Sequence, residues 1–444
     1  MDYTKLTSNL VDKALEYGAS HAEVYLETGR NLSIQVLNGE IETIQEAASA
    51  GIGFRVIVDG KMGFSHCNDL SDKSLEDTLL RAVEFARLTS ADENNVLPSD
   101  KGFTEIEGLF DPEIAKIAME KKIEMALKVE ELALSDSRIS KSSGAGYGEG
   151  QGEIFIANSN GLSKNYKSAG CNIGVSVVAE KGEQKNTGGE YSSRRFFADL
   201  DSLEDIAKEA AEKAASLIDP IMISTQKAAV IVDSSAAGSL IGGILGALNG
   251  ERVQQGASFL KDSMDKSFAS KLLTIVDDGT RPKGMGSAPF DGEGVPTQKR
   301  VLVEKGVVKS FIYNTIAAKR AGVTSTGNAS RGGFTSLPGI GIHNLYVEAG
   351  QHNPEEIIAA TQRGLLVTGI TGYGIDPVSG NFSGGASGFW IENGKKKHPV
   401  KGLTIAGTAD EILNDIDMMG DDVDMNKSFT APTMRIREMM IGGA

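Results

Sequence analysis

Residues 4 to 17, "TKLTSNLVDKALEY", set Leu6, Leu10, Val11, Ala14 and Leu15 on one face at helical spacing, and "GAS" ends the helix. The pattern then changes period. "HAEVYLETG" and "LSIQVLNGEIETIQEA" alternate as strands do, with Asn38-Gly39 as a hairpin turn, and "GIGFRVIVDGKMGFSH" repeats the arrangement around Asp59-Gly60. "DLSDKSLEDTLLRAVEFARLTS" returns to helical spacing, capped at Ser71 or Asp72. Residues 91 to 112 are polar and hold Pro98 and Pro112, which reads as a loop, and "PEIAKIAMEKKIEMALKVEELALS" reads as one helix with Pro112 near its first turn. Strands are expected from about 138 to 198, among them "GEIFIANSNGL" and "CNIGVSVVAEKG", followed by the helix "DSLEDIAKEAAEKAASLID", which Pro220 ends.

A new strand, "KAAVIVDS", starts after "LIDPIMISTQ", and the domain boundary is expected there. Beyond it come a glycine-rich helix, a second helical piece "ERVQQGASFLKD", and mostly strands: "RVLVEKGVVKSFIYN", "NLYVEAG", "GFWIENGKK" and "TMRIREMMIGG", interrupted by the helix "NPEEIIAATQRG". The expected fold is α+β in two domains, each mixing helices with largely antiparallel sheet. Residues 1–220 form the first domain (1–95 helix, antiparallel strands and helix; 96–220 a middle segment). Residues 221–444 form a strand-rich, barrel-like second domain carrying the glycine-rich helix 234–250.

Composition narrows the function. The formal charge of −15 repels phosphate backbones, so nucleic acid is not an expected ligand. Two cysteines are too few for a disulfide framework and fit a reducing compartment. The first twenty residues carry an early Asp and no signal-type apolar core, so a cytoplasmic protein is expected. The uncharged stretch "SSAAGSLIGGILGALNG", 234 to 250, is seventeen residues long and too short to span a membrane.

That stretch is not a phosphate loop either, because Glu251 and Arg252 follow Gly250 where Lys and Ser or Thr are needed. The five histidines (21, 66, 343, 352 and 398) include no pair on one helical face, and His66-Cys67 is the only adjacent soft-ligand pair. No G-x-S-x-G nucleophile turn is present, and neither Cys67 nor Cys171 has local support as a thiol nucleophile. The acidic run 414–426 fails as a calcium loop: counted from Asp415, its fifth position is Met419 and its twelfth is Asn426. The long loop 277–295 gathers Asp277, Asp278, Asp291 and Glu293, the one acidic set from which an unfamiliar hydrolase site could be built. Gly238, Gly242, Gly246 and Gly250 form a smooth stripe that lets a neighbour approach the helix, with close core packing favoured over a ligand.

The chain resembles the TldD/PmbA family along essentially its whole length. The resemblance rests on "GIGFRVIVDGKMGFSHCNDLS", "IANSNGL", "APFDGEGVPTQKRVLVEKGVVKSFIYN", "STGNASR", "NLYVEAG", "GNFSGGASGFWIENGKKKHPVKGLTIAG" and "PTMRI". It implies a zinc peptidase family with two kinds of member. TldD carries H-E-x-x-x-H on the helix after the first strand of the second domain and a Cys near the C-terminus. TldE, also called PmbA, lacks that set and pairs with TldD. The matching helix here is 234–250, which holds no His or Glu, and no Cys follows Cys171. The resemblance is therefore to TldE. It implies a non-catalytic subunit acting on extended or unfolded peptides. No metal would be held by this chain, and zinc would sit on a TldD-type partner; a homodimer is the alternative assembly. The residues expected to meet a peptide are Gly242, Gly246, Ser383, Gly384, Gly385, Ala386 and Phe389. Two other readings stay open: a non-proteolytic protein that modulates DNA gyrase or its inhibitors, and a self-sufficient peptidase built on the 277–295 acids.

Overall fold

The computed structural model describes residues 2–443. Its N-terminal lobe is built on one antiparallel sheet of long strands: β1 (His21–Leu37), β2 (Glu40–Val58), β3 (Lys61–Cys67), β4 (Lys141–Asn158), β5 (Ser163–Lys181) and β6 (Gln184–Arg194). They lie in the order β3-β2-β1-β4-β5-β6. The turns follow from the sequence, since Asn38-Gly39 and Asp59-Gly60 both take the left-handed backbone that a tight hairpin requires. Helices α1 (Tyr3–Glu16) and α2 (Asp72–Leu88) cover one end of one face, burying Leu10, Val11, Leu75 and Leu79 against Val24, Leu26, Phe54 and Val56. Each such side chain contributes about 1.5–3 kcal/mol on leaving water. Helices α3 (Met119–Leu134) and α4 (Leu203–Ala215) cover the other end, over Ile34, Tyr147, Ile173 and Val177. The helix expected to run on from Pro112 breaks: Ile114–Lys116 is a 3-10 turn and α3 starts at Met119. Asp111 causes the break by accepting from the backbone of both Glu113 and Phe197, which ties the segment to the end of β6.

The C-terminal lobe begins with β7 (Gln226–Val232), and α5 (Ser234–Ala247) follows at once. The strands β8 (Ile275–Asp278), β9 (Lys299–Glu304), β10 (Val307–Val308), β13 (Leu345–Val347) and β18 (Phe429–Thr430) make a small sheet, and β11 (Ala329–Ser330) with β12 (Gly339–Ile340) make a ribbon. The run "RVLVEKGVVKSFIYN" is thus a hairpin turning at Lys305-Gly306 and then irregular chain, not one strand. "ERVQQGASFLKD" keeps only the short helix Gly250–Gln254, because Gly256 turns the chain with positive φ. The rest is a barrel. β14 (Arg363–Thr371), β15 (Asn381–Glu392), β16 (Lys395–Thr408) and β19 (Met434–Gly442) join β7 in the order β16-β15-β14-β7-β19, and β19 pairs back onto β16, closing five staves. The short strand β17 (Ile416–Met419) hangs on β19. The fold is α+β with largely antiparallel sheet and a barrel in the second half, as the sequence pattern led us to expect. Strand side chains such as Val230, Leu365, Trp390, Leu403 and Ile436 share one core with Leu240, Ile241 and Ile244 of α5. No helix among the described residues is long and apolar enough to cross a membrane.

The lobes are locked by buried charge. Arg55 of β2 meets Glu23 of β1 at 2.6 Å and Glu293 of the 277–295 loop at 2.8 Å, and Arg331 also pairs with Glu23. All four side chains are at most 2% exposed. A second clamp, Arg195, donates to four backbone carbonyls: Ala169 of β5 and Gly284, Met285 and Ser287 of the loop.

Candidate functional site

A cleft of about 890 Å³ opens where the two lobes meet. One wall is the end of β6 with α4 (Glu190, Tyr191, Arg194, Asp205, Glu209 and Lys213). The other is the N-terminus of α5 (Asp233, Ser234 and Ser235) with the segment Asp424–Phe429. β6 is the last strand of its sheet. It pairs with β5 on one side only, so its outer backbone groups have no ladder partner. A free strand edge therefore runs along the cleft wall.

The charges lining the cleft are largely matched. Lys213 pairs with Glu190, Arg194 reaches both oxygens of Asp201 at 2.6 Å, and Lys427 lies 3.5 Å from Asp424. Burial raises the Glu190 carboxyl, but hydrogen bonds from the Lys213 ammonium and the Tyr191 N–H outweigh it and hold the group below its ordinary value. Glu209 moves the other way, raised by burial and by the Glu190 charge. Asp233 caps α5, accepting from the N–H groups of Ser235 and Ala236 and from the Ser235 hydroxyl, and burial raises its pKa despite those bonds. All three of these bonds fall on its Oδ1, and the helix behind it offers only glycines, aliphatics and hydroxyls.

The helix expected over 234–250 ends at Ala247, so Gly238, Gly242 and Gly246 lie on the half-exposed face of α5 while Gly250 is buried at the start of the short helix that follows. Phe429, a cleft residue, lies over Gly238 and Gly242. A methyl group on either would meet its ring at ordinary contact distances of 3.7 and 3.5 Å. Gly246 faces Pro377 and Gly250 faces Tyr313, both more tightly. The closest approach falls outside the stripe, where a methyl on Gly243 would sit 1.5 Å from the Ile375 carbonyl oxygen.

Ser383, Gly384, Gly385, Ala386 and Phe389 are not gathered with Gly242 and Gly246. They lie inside β15, which pairs with β16 along this stretch, while the β14 ladder reaches only as far as Gly385, so Ser383 and Gly384 have a ladder partner on the β16 side alone. The glycines serve the barrel: Gly388 takes positive φ at a bulge, and a Cβ there would strike the Leu366 carbonyl at 1.9 Å. The cleft residues Glu190, Tyr191, Arg194, Glu209 and Phe429 were not singled out in the sequence. Tyr191 and Phe429 stand in ordinary strand patterns, and only the tertiary fold brings them to one wall.

The acids of 277–295 are structural acceptors. Asp277 takes the side chain of Asn328 and the N–H of His343, and Asp278 takes the N–H and hydroxyl of Thr280. Asp291 takes three N–H groups, from Glu293, Val295 and Ala329, and Glu293 takes Arg55 and the N–H of Thr315. The acidic run near 415 is used likewise, with Asp415 on Arg437, Asp417 on Arg435 and Asp422 on Thr433. Cys171 is buried, and that burial pushes its thiol up to about 12, away from a reactive thiolate. The Cys67 thiol donates to the Asp69 carbonyl, and His66 stands among Phe64 and Phe334. Among the described residues no three His, Cys, Asp or Glu side chains converge as a metal site. The donors of this cleft do not fit a zinc ion, which needs at least three protein ligands.

Three family models match the chain: PmbA/TldA metallopeptidase domain 1 over residues 22–86, the central domain over 112–218 and the C-terminal domain over 225–443. Metalloprotease PmbA of Escherichia coli O157:H7 is 29% identical, the match covering 99% of this chain and 96% of that protein. A metalloprotease PmbA homolog of Haemophilus influenzae is 30% identical over 98% and 94%. Among solved structures, TldE of Thermococcus kodakarensis superposes with a TM-score of 0.90 at 26% identity, covering 98% of this chain and 99% of that one.

Proposed function

The chain belongs to the PmbA/TldA metallopeptidase family, and from that premise we propose that it is a TldE-type, non-catalytic subunit that completes the peptide cleft of a zinc-bearing TldD-type partner. The observation that carries the reading is the free edge of β6 along a cleft that ends on a ligand-free α5. An extended peptide hydrogen-bonds to such an edge through its backbone, whatever its side chains, which suits unfolded substrates of mixed sequence. The partner supplies the zinc, which polarises the scissile carbonyl and activates water. This chain supplies one wall and the alignment. Its two free cysteines fit a cytoplasmic setting.

The test is hydrolysis of an unstructured casein-derived peptide by this chain alone, by a TldD-type relative alone, and by the two mixed, with zinc measured on each purified protein. The chain alone is expected to be inactive and zinc-free, and the mixture to exceed the relative alone. Zinc-dependent cleavage by the chain alone at a comparable rate overturns the reading.

A further inference from the structure

A second cavity, of about 200 Å³, lies between the lobes and shares no lining residue with the cleft. Met285 lines the cleft and Gly286 the cavity, so the loop backbone that Arg195 clamps separates the two. Tyr25 of β1, Ile154 of β4 and Tyr166 of β5 form the N-terminal wall. Ala288 and Phe290 of the 277–295 loop, with Ile342, form the other.

Tyr25 is 5% exposed, and among the described residues its hydroxyl has no hydrogen-bond partner. That hydroxyl is not sealed from solvent, and the solvent it reaches is the cavity. The Tyr166 hydroxyl has no partner among the described residues either, while its ring stands edge-to-face on Phe290 at 5.0 Å. Burial raises both phenols, so each keeps its proton at neutral pH and can both donate and accept. Hydroxyls left this way are a cost to the fold, and a ligand that supplies the missing partner removes it.

The charges around the cavity say what kind of ligand fits. Arg331 donates from Nε to the Gly292 carbonyl at 2.6 Å and pairs with Glu23. Asp291 accepts three N–H groups. Lys164, 5.9 Å from the Phe290 ring, is held by Asp100 at 3.0 Å and the Gly294 carbonyl at 2.9 Å. Glu27, on the same face of β1 as Tyr25, has no ion pair among the described residues, and its charge opposes an anion. The Arg331 guanidinium lies 4.7 Å over the Tyr25 ring, where a cationic ligand would otherwise stack. A charged ligand would thus be desolvated without a free counter-charge, a cost that an uncharged one escapes. Size gives the rest. A cavity of about 150 Å³ holds benzene, so this one has room for a single ring with a polar substituent.

We infer that this cavity is a binding site for one uncharged aromatic ring with a hydrogen-bonding edge, of the phenol or carboxamide type. The ring lies against Phe290, Ile154 and Ile342, and its polar edge meets the Tyr25 and Tyr166 hydroxyls. Such a ring belongs either to a free small molecule or to a tyrosine side chain of a peptide. The inference does not depend on the proposed function.

The experiment is ligand-observed NMR titration of the full chain with p-cresol, benzamide, benzoate and benzylammonium, and with the capped peptide acetyl-Gly-Gly-Tyr-Gly-Gly-amide. The two neutral rings are expected to saturate with a Kd of about 1 mM or tighter, as about eight or nine enclosed heavy atoms allow. Benzoate and benzylammonium bind about tenfold more weakly or worse. Tyr25→Phe removes a hydroxyl that bonds nothing in the protein, so the fold stands, and it weakens p-cresol about fivefold, the worth of one hydrogen bond. Ala288→Leu fills the cavity and abolishes binding, with circular dichroism checking that both lobes remain folded. Displacement of p-cresol by the peptide assigns the ring to a peptide's tyrosine, and p-cresol binding that the peptide leaves untouched assigns it to a free small molecule. No saturable binding up to about 10 mM overturns the inference. So do charged rings that bind as tightly as the neutral ones, or binding indifferent to both substitutions.

Discussion

Replacing Arg55 by Met tests the charge lock between the lobes. In the natural chain Arg55 is 1% exposed and lies between Glu23 and Glu293 at 2.6 and 2.8 Å. After the substitution Glu23 still has Arg331, but Glu293, 0% exposed, keeps only the N–H of Thr315 at 2.8 Å. A buried charge stripped of its partner costs about 3–5 kcal/mol. Adding Glu293→Met removes the stranded charge and leaves the Thr315 N–H unmet, a cost of about 1–3 kcal/mol. The double variant should therefore be more stable than the single one by about 2 kcal/mol, the difference between the centres of those two ranges, although it carries more changes. The assay is urea unfolding followed two ways. Fluorescence of Trp390, the only tryptophan, reports the barrel, and far-ultraviolet circular dichroism reports both lobes. The two curves should coincide in the natural chain and separate in Arg55→Met, where the lobes are uncoupled. A loss below about 1 kcal/mol in Arg55→Met, or a double variant no more stable than the single, refutes the argument.

Three shorter predictions accompany it. Burial, with the Glu293 charge next, raises Asp291 from 3.8 to about 7, so between those values the folded chain holds a proton that the unfolded chain has released. Stability then falls as pH rises across that window, and Asp291→Asn should flatten this slope in urea titrations between pH 4 and 7. On α5, Gly242→Ala adds a methyl at ordinary contact distance and should stabilise by about 0.5–1 kcal/mol. Gly243→Ala drives its methyl into the Ile375 carbonyl and should cost about 3 kcal/mol or more, both read from denaturation midpoints. Phe429→Ala should cost about 1–3 kcal/mol and bare Gly238 and Gly242 to the cleft, measured as lost stability with increased binding of a hydrophobic dye.

Local rules made the sequence legible where they act alone. Asn38-Gly39 and Asp59-Gly60 mark their hairpins, and Ser71, one of the two caps expected for α2, stands at its N-cap position, though its side chain makes no capping hydrogen bond. The breaks at Ile117 and after Gln254 were not legible, because they depend on Asp111 reaching Phe197 and on Gly256 turning the chain. The site is a sharper case. The glycines of "SGGASGF" look like room for a ligand, and in the fold one of them, Gly388, stands at the register shift that β15 makes against β14 and β16. The cleft is assembled from β6, α4, α5 and the 424–429 segment, which lie far apart in sequence, and no spacing rule connects them. What the sequence did carry was an absence: residues 234 to 250 hold no imidazole, thiol or carboxylate.

The closed ring has a consequence for synthesis. Its first stave, β7, is made more than two hundred residues before the last, β19, which seats beside it. Until the ribosome releases that final stave, β7 and β16 each keep a bare flank. The barrel therefore cannot close before β19 is available, and until then those flanks are open to pairing with other strands.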